Sequence, residues 1–93
     1  MKRRYRWRWK ALQFLGEFDY QLIPVPVKDN NPTVIYPEEF LAWKLHELEN
    51  KTMEEIAEIL GASRVSISNL IKAAREKILR SILEGRPILI KGK

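Results

Sequence analysis

The sequence predicts a mainly α-helical protein with short β-strands near both ends, from two observations. First, apolar residues recur at helical spacing from Pro37 to Glu84, with breaks at Asn50–Lys51 and Gly61. Second, apolar and polar residues alternate in residues 4–10 and 17–23, which is the spacing of a strand. A chain of 93 residues suffices for a single compact unit with a modest core.

The first ten residues, MKRRYRWRWK, carry six basic residues and no acidic one. Basic and aromatic side chains alternate from Arg4 to Lys10. As a strand, the segment would pack Tyr5, Trp7 and Trp9 on the domain or its dimer mate and direct its bases outward. An export signal needs about 7–15 apolar residues after its basic start. Since "ALQFLGEFDY" is broken by Gly16 and Glu17, we expect a cytoplasmic protein.

Two further strands are predicted. Residues 17–23 alternate, and Pro24 and Pro26 follow. Both prolines lack an N–H on the same edge of an extended chain, so this strand is expected at the edge of a sheet. The segment "PILIK" at 87–91 predicts a short C-terminal strand, and the composition of "KDNNPT" at 28–33 indicates a loop.

The first predicted helix begins at Pro37, where Glu38 and Glu39 complement the helix dipole and are expected at a solvated face. A second, short helix begins after Thr52, which forms a capping-box pattern with Glu55, and stops at Gly61.

The third predicted helix follows the N-cap residue Ser63 and covers residues 64–84. Gly85 suits its C-terminus, and Pro87 prevents its continuation.

A short helix, a tight turn at a glycine and a longer helix form the layout of a helix-turn-helix motif. Ala57 is small where the two helices would cross, and Gly61 permits the turn. Apolar contacts between the helices would come from Ile56, Leu60, Ile67 and Leu70. We therefore predict a basic N-terminal arm with extended strands (1–36), a three-helix helix-turn-helix domain (37–85) and a C-terminal strand or tail (86–93).

Charge is segregated along the chain in a way that favours docking onto phosphates. Residues 37–60 hold seven acidic and two basic residues, whereas residues 61–93 hold eight basic and two acidic ones. The third helix is therefore expected to enter the major groove with its N-terminal part. The candidate DNA contacts are Ser63, Arg64, Val65, Ser66, Ser68, Asn69, Lys72 and Arg75. The candidate backbone contacts of the arm are Arg3, Arg4, Arg6, Arg8 and Lys10.

Residues from about 38 to 92 resemble an uncharacterised family of small prokaryotic proteins predicted to bind DNA, with a helix-turn-helix related to region four of sigma factors. The resemblance rests on "EEFLAWKLHELENKTMEEIAEILGASRVSISNLIKAAREKI" and "EGRPILIKG", and "GASR" with "AAR" is its most specific part. It implies a three-helix DNA-binding core with Arg64 and the following polar residues on the recognition helix.

The apolar stripe of the third helix is wider than one helix needs, and it has two interpretations. It either belongs to the core, under the first helix and the N-terminal strands, or forms a homodimer seam. Many helix-turn-helix proteins read two half-sites as dimers, and "PILIK" could add a strand across such a seam. The candidate interface residues are Ile78, Leu79, Ile82, Leu83, Ile88 and Ile90.

Together these features predict a sequence-specific double-stranded DNA-binding protein that regulates transcription. The alternative is a protein-interaction module that docks on polymerase or another partner, and membrane activity of the basic segment is a weaker third hypothesis.

An enzyme is not expected. The chain has no cysteine, one histidine and no glycine-rich phosphate loop, so we expect neither a metal, a cofactor nor a small-molecule ligand. No apolar run approaches the roughly 20 residues of a membrane span.

Overall fold

The structure is a computed structural model that describes residues 2–16 and 19–91; the side chains of Lys2 and Arg3 lie outside this description. In chain order the elements are α1 (Lys2–Leu15), β1 (Asp19–Leu22), β2 (Thr33–Ile35), α2 (Pro37–Glu47), α3 (Met53–Leu60), α4 (Arg64–Glu84) and β3 (Ile88–Lys91). The prediction of a mainly helical fold with short strands is confirmed at this level.

The described strands form one sheet in the order β1-β3-β2, with β1 antiparallel and β2 parallel to β3. Strand β1 confirms the predicted edge strand over residues 19–22, while residues 17 and 18 lie outside the described part. Strand β3 confirms the C-terminal strand. Because both of its edges are paired within the chain, the predicted pairing of residues 87–91 across a dimer is wrong. Strand β2 was not predicted.

The predicted ends of α3 and α4 are confirmed by their caps. The Glu55 N–H donates to Thr52 Oγ1 (3.1 Å), and the Thr52 N–H donates to Glu55 Oε1 (2.8 Å), which completes the capping box of α3. The Ser66 N–H donates to Ser63 Oγ (3.1 Å) at the start of α4. Gly61 and Gly85 close α3 and α4 with positive φ angles of 68° and 67°.

The strand predicted over residues 4–10 is wrong, because this segment is part of helix α1. Its alternation is also compatible with a helix whose inner side carries Arg4, Arg8, Ala11 and Leu15, spaced by four, three and four residues, with Trp7 beside Arg8. Arginines occupy two of these inner positions, so a division into polar and apolar residues does not reveal the helical period. Tyr5 and Trp9, expected to pack on the protein, are exposed.

The main core lies between α1, α2, α3 and α4. Its buried members are Ala11, Leu41, Ala42, Leu45, Ile56, Leu60, Ile67, Leu70 and Ile71, with Trp7 packed against them. A second, smaller cluster joins the sheet to the helices through Ile35, Ile88 and Ile90. In the part of the chain that the structure describes, no helix combines the length and apolar character needed to cross a membrane.

Candidate nucleic-acid interface

The turn between α3 and α4 fixes how α4 is presented. The Ala62 N–H donates to the Ala57 carbonyl (2.9 Å), and Gly61 supplies the left-handed residue that reverses the chain. Ile56 and Leu60 of α3 are buried against Ile67 and Leu70 of α4, as the sequence predicted. This packing holds one side of α4 inward and leaves the opposite side in solvent.

The exposed side of the first half of α4 carries the predicted contact residues. Exposed side chains are those of Ser63, Arg64, Val65, Ser68, Asn69, Lys72 and Arg75, and the side chain of Ser66 is half-buried. They alternate with the buried positions of the same helix at Ile67, Leu70, Ile71 and Ala74. The structure therefore brings the residues of this set onto one continuous surface.

Two of the arginines on this surface are paired with glutamates of neighbouring helices. Arg64 Nη1 lies 3.3 Å from Glu54 Oε2 of α3, and Arg75 Nη2 lies 3.1 Å from Glu47 Oε1 of α2. All four side chains are more than half exposed. Such pairs are worth about 0–1 kcal/mol, so a phosphate or a base can replace the glutamate at low cost.

Helix α1 brings two further bases to the start of α4. Arg6 and Trp7 line a surface pocket of about 140 Å³ together with Gly61, Ala62, Ser63 and Ser66. Lys10 Nζ lies 3.9 Å from the point where a Cβ on Gly61 would stand. The N-terminus of α4, whose first backbone N–H groups cannot bond to a carbonyl of the helix itself, begins beside these cations.

The other arm residues are not turned outward as predicted. Glu38 and Glu39, in the first turn of α2, are buried, with exposed fractions of 0% and 1%. Arg4 and Arg8 of α1 and Lys77 of α4 pair with these two carboxylates, and we call these five residues the ionic cluster. The expectation of a row of outward bases is therefore wrong for Arg4 and Arg8. The side chain of Arg3 is outside the described residues.

The contacts of the ionic cluster are short and numerous. Arg4 Nε donates to Glu38 Oε2 (2.7 Å), and its Nη2 donates to Glu39. Arg8 donates from Nε to Glu38 Oε1 (3.0 Å) and from Nη2 to Oε2 (3.2 Å). Lys77 Nζ donates to Glu39 Oε1 (2.8 Å) and to the carbonyl of Val34 (2.9 Å). The cluster thereby fastens α1, α2, α4 and β2 to one another.

Tyr36 covers the ionic cluster. The Arg8 guanidinium lies 4.3 Å and the Lys77 ammonium 4.5 Å from its ring centroid, within cation–π range. Hydrogen bonding to Glu38 raises the pKa of Arg8, against the opposing effect of burial. For Arg4, burial is the largest influence and lowers the pKa, but Glu38 and Glu39 together raise it above its usual value.

This cluster was not predicted, because Glu38 and Glu39 were assigned to the solvated side of a helix. The available signal was the spacing of Arg4 and Arg8, four residues apart and hence on one side of a helix. Within residues 2–16 and 19–91, no group of three acidic or histidine side chains is placed to hold a metal ion.

The candidate dimer residues separate into two groups. Leu79, Ile82 and Leu83 are exposed, and Ile78 is half-buried. Ile88 and Ile90 are buried in the core of the chain itself. With exposed fractions of 5% and 6%, they offer little surface to a partner and cannot form the exposed centre of an interface.

Comparison with known proteins identifies relatives along the whole chain. A family model described as "Protein of unknown function DUF134" matches residues 1–93. A UPF0251 protein of Vibrio parahaemolyticus is 34% identical over 65 residues, which cover 70% of this chain and 68% of that protein. A UPF0251 protein of Archaeoglobus fulgidus is 33% identical over 69 residues (74% and 66%).

A UPF0251 protein of Halothermothrix orenii is 34% identical over 84 residues, which cover 89% of this chain and 62% of that protein. The matched part of the chain thus spans 62–68% of the length of these three relatives. No solved structure matches the chain.

Proposed function

The chain belongs to the prokaryotic family of unknown function DUF134, and we propose that it is a transcriptional regulator that binds double-stranded DNA in a sequence-dependent way. In this proposal α2, α3 and α4 form a helix-turn-helix unit related to region four of sigma factors, and α4 is its recognition helix. The observation that carries the proposal is the continuous exposed surface of Arg64–Arg75, bordered by the α1 bases at its start.

The chemistry of this surface suits the edges of base pairs. From Arg64 to Arg75 the helix extends about 17 Å, and the major groove of B-DNA is about 12 Å wide and admits one helix. Arg64 offers a guanidinium that can donate two hydrogen bonds to guanine, and Asn69 an amide that can pair with adenine. Ser68 lies between them, and Val65 can contact a thymine methyl group.

The residues around this surface suit phosphates. Arg6 and Lys10 of α1 stand beside the N-terminus of α4, where the helix dipole and the N–H groups that the Ser63 cap does not use favour an anion. Lys72 and Arg75 extend the positive charge along the helix. The most negative part of α2 is neutralised inside the ionic cluster, so it does not repel the duplex.

The proposal is tested by fluorescence anisotropy with labelled random-sequence duplexes over a series of salt concentrations. If the protein binds phosphates, its affinity should fall as salt is added. A plot of log Kd against the logarithm of the salt concentration should be linear, with a slope of about 0.9 per neutralised phosphate. Lys72→Ala should lower this slope by about one unit if Lys72 contacts a phosphate, or relax specificity if it contacts a base.

Lys28→Ala is the matched control, because Lys28 is also exposed but packs against Gly85, at the opposite end of α4. Its slope and affinity should equal those of the parent protein. Absence of any binding at low salt would refute the proposal and favour the protein-interaction module.

A further inference from the structure

An exposed apolar surface lies at the end of α4 that is remote from the proposed DNA contacts. It is formed by Leu22 and Ile23, at the end of β1, and by Leu79, Ile82 and Leu83 of α4; we call it the apolar flank. These side chains are 44–75% exposed. Leu22, Ile23 and Ile82 border a groove of about 390 Å³ between β1 and α4, whose floor contains Ile78 and Ile88. Leu79 and Leu83 form a ridge beside this groove.

Within residues 2–16 and 19–91, the side chains of β1 stay exposed on the side of the sheet that faces α4. Leu22 is paired in register with Ile88, and Tyr20 with Ile90, so these side chains share one side of the sheet. Ile88 and Ile90 are buried by the helices, whereas Tyr20 and Leu22 are exposed. In the described part of the chain, the helices therefore cover β3 and stop short of β1. Large contiguous apolar patches of this kind mark interaction surfaces.

We propose that the apolar flank of one copy packs against the same flank of a second copy in a two-fold symmetric dimer. A two-fold interface requires a surface that is complementary to itself. The flank meets this requirement, because the Leu79–Leu83 ridge of each copy can enter the β1–α4 groove of the other. Its large exposed side chains supply the apolar centre of an interface that, at standard size, buries about 800 Å² on each partner.

Charge at the rim supports the same partner. Glu76, Arg80 and Glu84 line the ridge on the side away from the groove. Glu84 is paired with Arg86 Nε (2.7 Å), so the rim carries both signs of charge and little net charge. Since the charges of Glu76, Arg80 and Glu84 alternate in sign along α4, an antiparallel second copy can bring Arg80 of one copy close to Glu76 or Glu84 of the other. The rim therefore carries the opposite charges that a second copy needs.

Sedimentation equilibrium of the full chain without DNA tests the dimer. The parent protein should be dimeric at about 100 µM, and Leu83→Glu should raise the dimer Kd at least about tenfold. Leu48→Glu is the matched control, since Leu48 and Leu83 are both 75% exposed and Leu48 lies at the C-terminus of α2. Its dimer Kd should equal that of the parent. A parent protein that stays monomeric at this concentration, or equal effects of the two variants, would overturn the proposal.

Because the chain contains no cysteine, single cysteines can report the geometry. Ile82→Cys should give a disulfide-linked dimer on mild oxidation, and Leu48→Cys should stay monomeric. Equal cross-linking of both variants would overturn the proposed surface. Both experiments omit DNA, so a failed dimer leaves the DNA proposal intact. Because the packing argument does not depend on DNA, a failed DNA proposal likewise leaves the dimer proposal intact.

Discussion

Arg8 and Glu38 form a two-point ion pair between α1 and the first turn of α2. Arg8 Nε and Nη2 lie 3.0 and 3.2 Å from the two carboxylate oxygens of Glu38, which is buried. Arg4 shares the same carboxylate. Since α1 also carries Arg6 and Lys10 beside the start of α4, this pair determines where those two cations stand. The orientation of the proposed phosphate contacts thus depends on a glutamate that is remote from them.

Glu38→Gln should destabilise the protein and release α1. The substitution keeps the size of the side chain but leaves Arg4 and Arg8 without their shared negative charge. Breaking a buried pair on one side costs about 3–5 kcal/mol, and we expect about 3 kcal/mol because both arginines partly reach solvent. Urea unfolding measures the loss, and hydrogen–deuterium exchange should become faster over residues 2–15.

Glu49→Gln is the control for this prediction. Glu49 forms an ion pair with Lys44 (3.0 Å) in which both side chains are about 40% exposed. Its loss should cost less than about 1 kcal/mol and leave exchange in α1 unchanged. If the two variants were equally stable, the ionic cluster would not be what holds α1 in place.

How much of the fold could be predicted depends on the range of the interactions concerned. Thr52, Gly61, Ser63 and Gly85 were assigned correctly because a cap or a left-handed turn depends on a few neighbouring residues. The placement of α1 depends on Glu38, which is 30 positions from Arg8 in the sequence. Without knowledge of that contact, the arginines of α1 look like solvated residues, and the alternation favours a strand.

In the candidate site, too, features that depend on neighbouring residues could be predicted, whereas features that depend on distant contacts could not. The exposed positions of α4 follow from its helical period, and the structure places them together as expected. The role of Arg4 and Arg8 could not be predicted in this way. The burial of Ile88 and Ile90 could not be predicted either, because it requires that β3 be the central strand of the sheet. The strand order shows that Leu22 and Ile23, and not Ile88 and Ile90, contribute exposed side chains to the apolar flank.

The capping box of α3 should make stability depend on pH through Glu55. The hydrogen bond from the Thr52 backbone, and then that from its side chain, lower the pKa of Glu55. A group whose pKa is lowered by folding stabilises the protein above its unfolded-state pKa. This contribution is lost as the pH falls through the folded-state pKa. The stability difference between the parent and Glu55→Gln, from urea unfolding at several pH values, should therefore be largest at neutral pH and disappear in acid.

Glu58→Gln, an exposed change on the same helix that leaves the Thr52–Glu55 capping box intact, serves as the control for the substitution itself. Thr52→Ala should cost about 1 kcal/mol at neutral pH, the usual value for a lost N-cap. A difference between parent and Glu55→Gln that grew on acidification would show that folding raises the pKa of Glu55 and would contradict the role of the capping box.

Alanine should be tolerated less well at Gly85 than at Gly61, although their φ angles are nearly equal, at 67° and 68°. At Gly61 a Cβ would meet only Lys10 Nζ, at 3.9 Å, so the cost is that of the left-handed backbone, about 1–2 kcal/mol. At Gly85 the Cβ would lie 2.7 Å from Lys28 Cβ and 2.9 Å from Lys28 Cγ. We expect about 1 kcal/mol or more in addition, measured by urea unfolding.

The additional cost at Gly85 should disappear in a background that lacks the obstructing atoms. Gly85→Ala should therefore cost as much in Lys28→Gly as Gly61→Ala costs in the parent protein. An excess that persists in this background would place the strain elsewhere around the C-terminus of α4.

Asn69 and Arg6 should affect DNA binding in different ways if α4 reads the major groove. Asn69→Ala removes an amide that can pair with adenine, so it should relax selectivity at one base pair by about 1–3 kcal/mol and leave the salt dependence unchanged. Arg6→Ala should weaken binding to all sequences alike and lower the salt slope by about one unit, because a phosphate contact carries no sequence information. Selection of bound sequences from a random duplex library, repeated for both variants, measures the first effect, and salt titrations measure the second. If Asn69→Ala weakened binding to every DNA sequence equally, Asn69 would lie against the DNA backbone. Helix α4 would then have to be rotated about its axis in the groove.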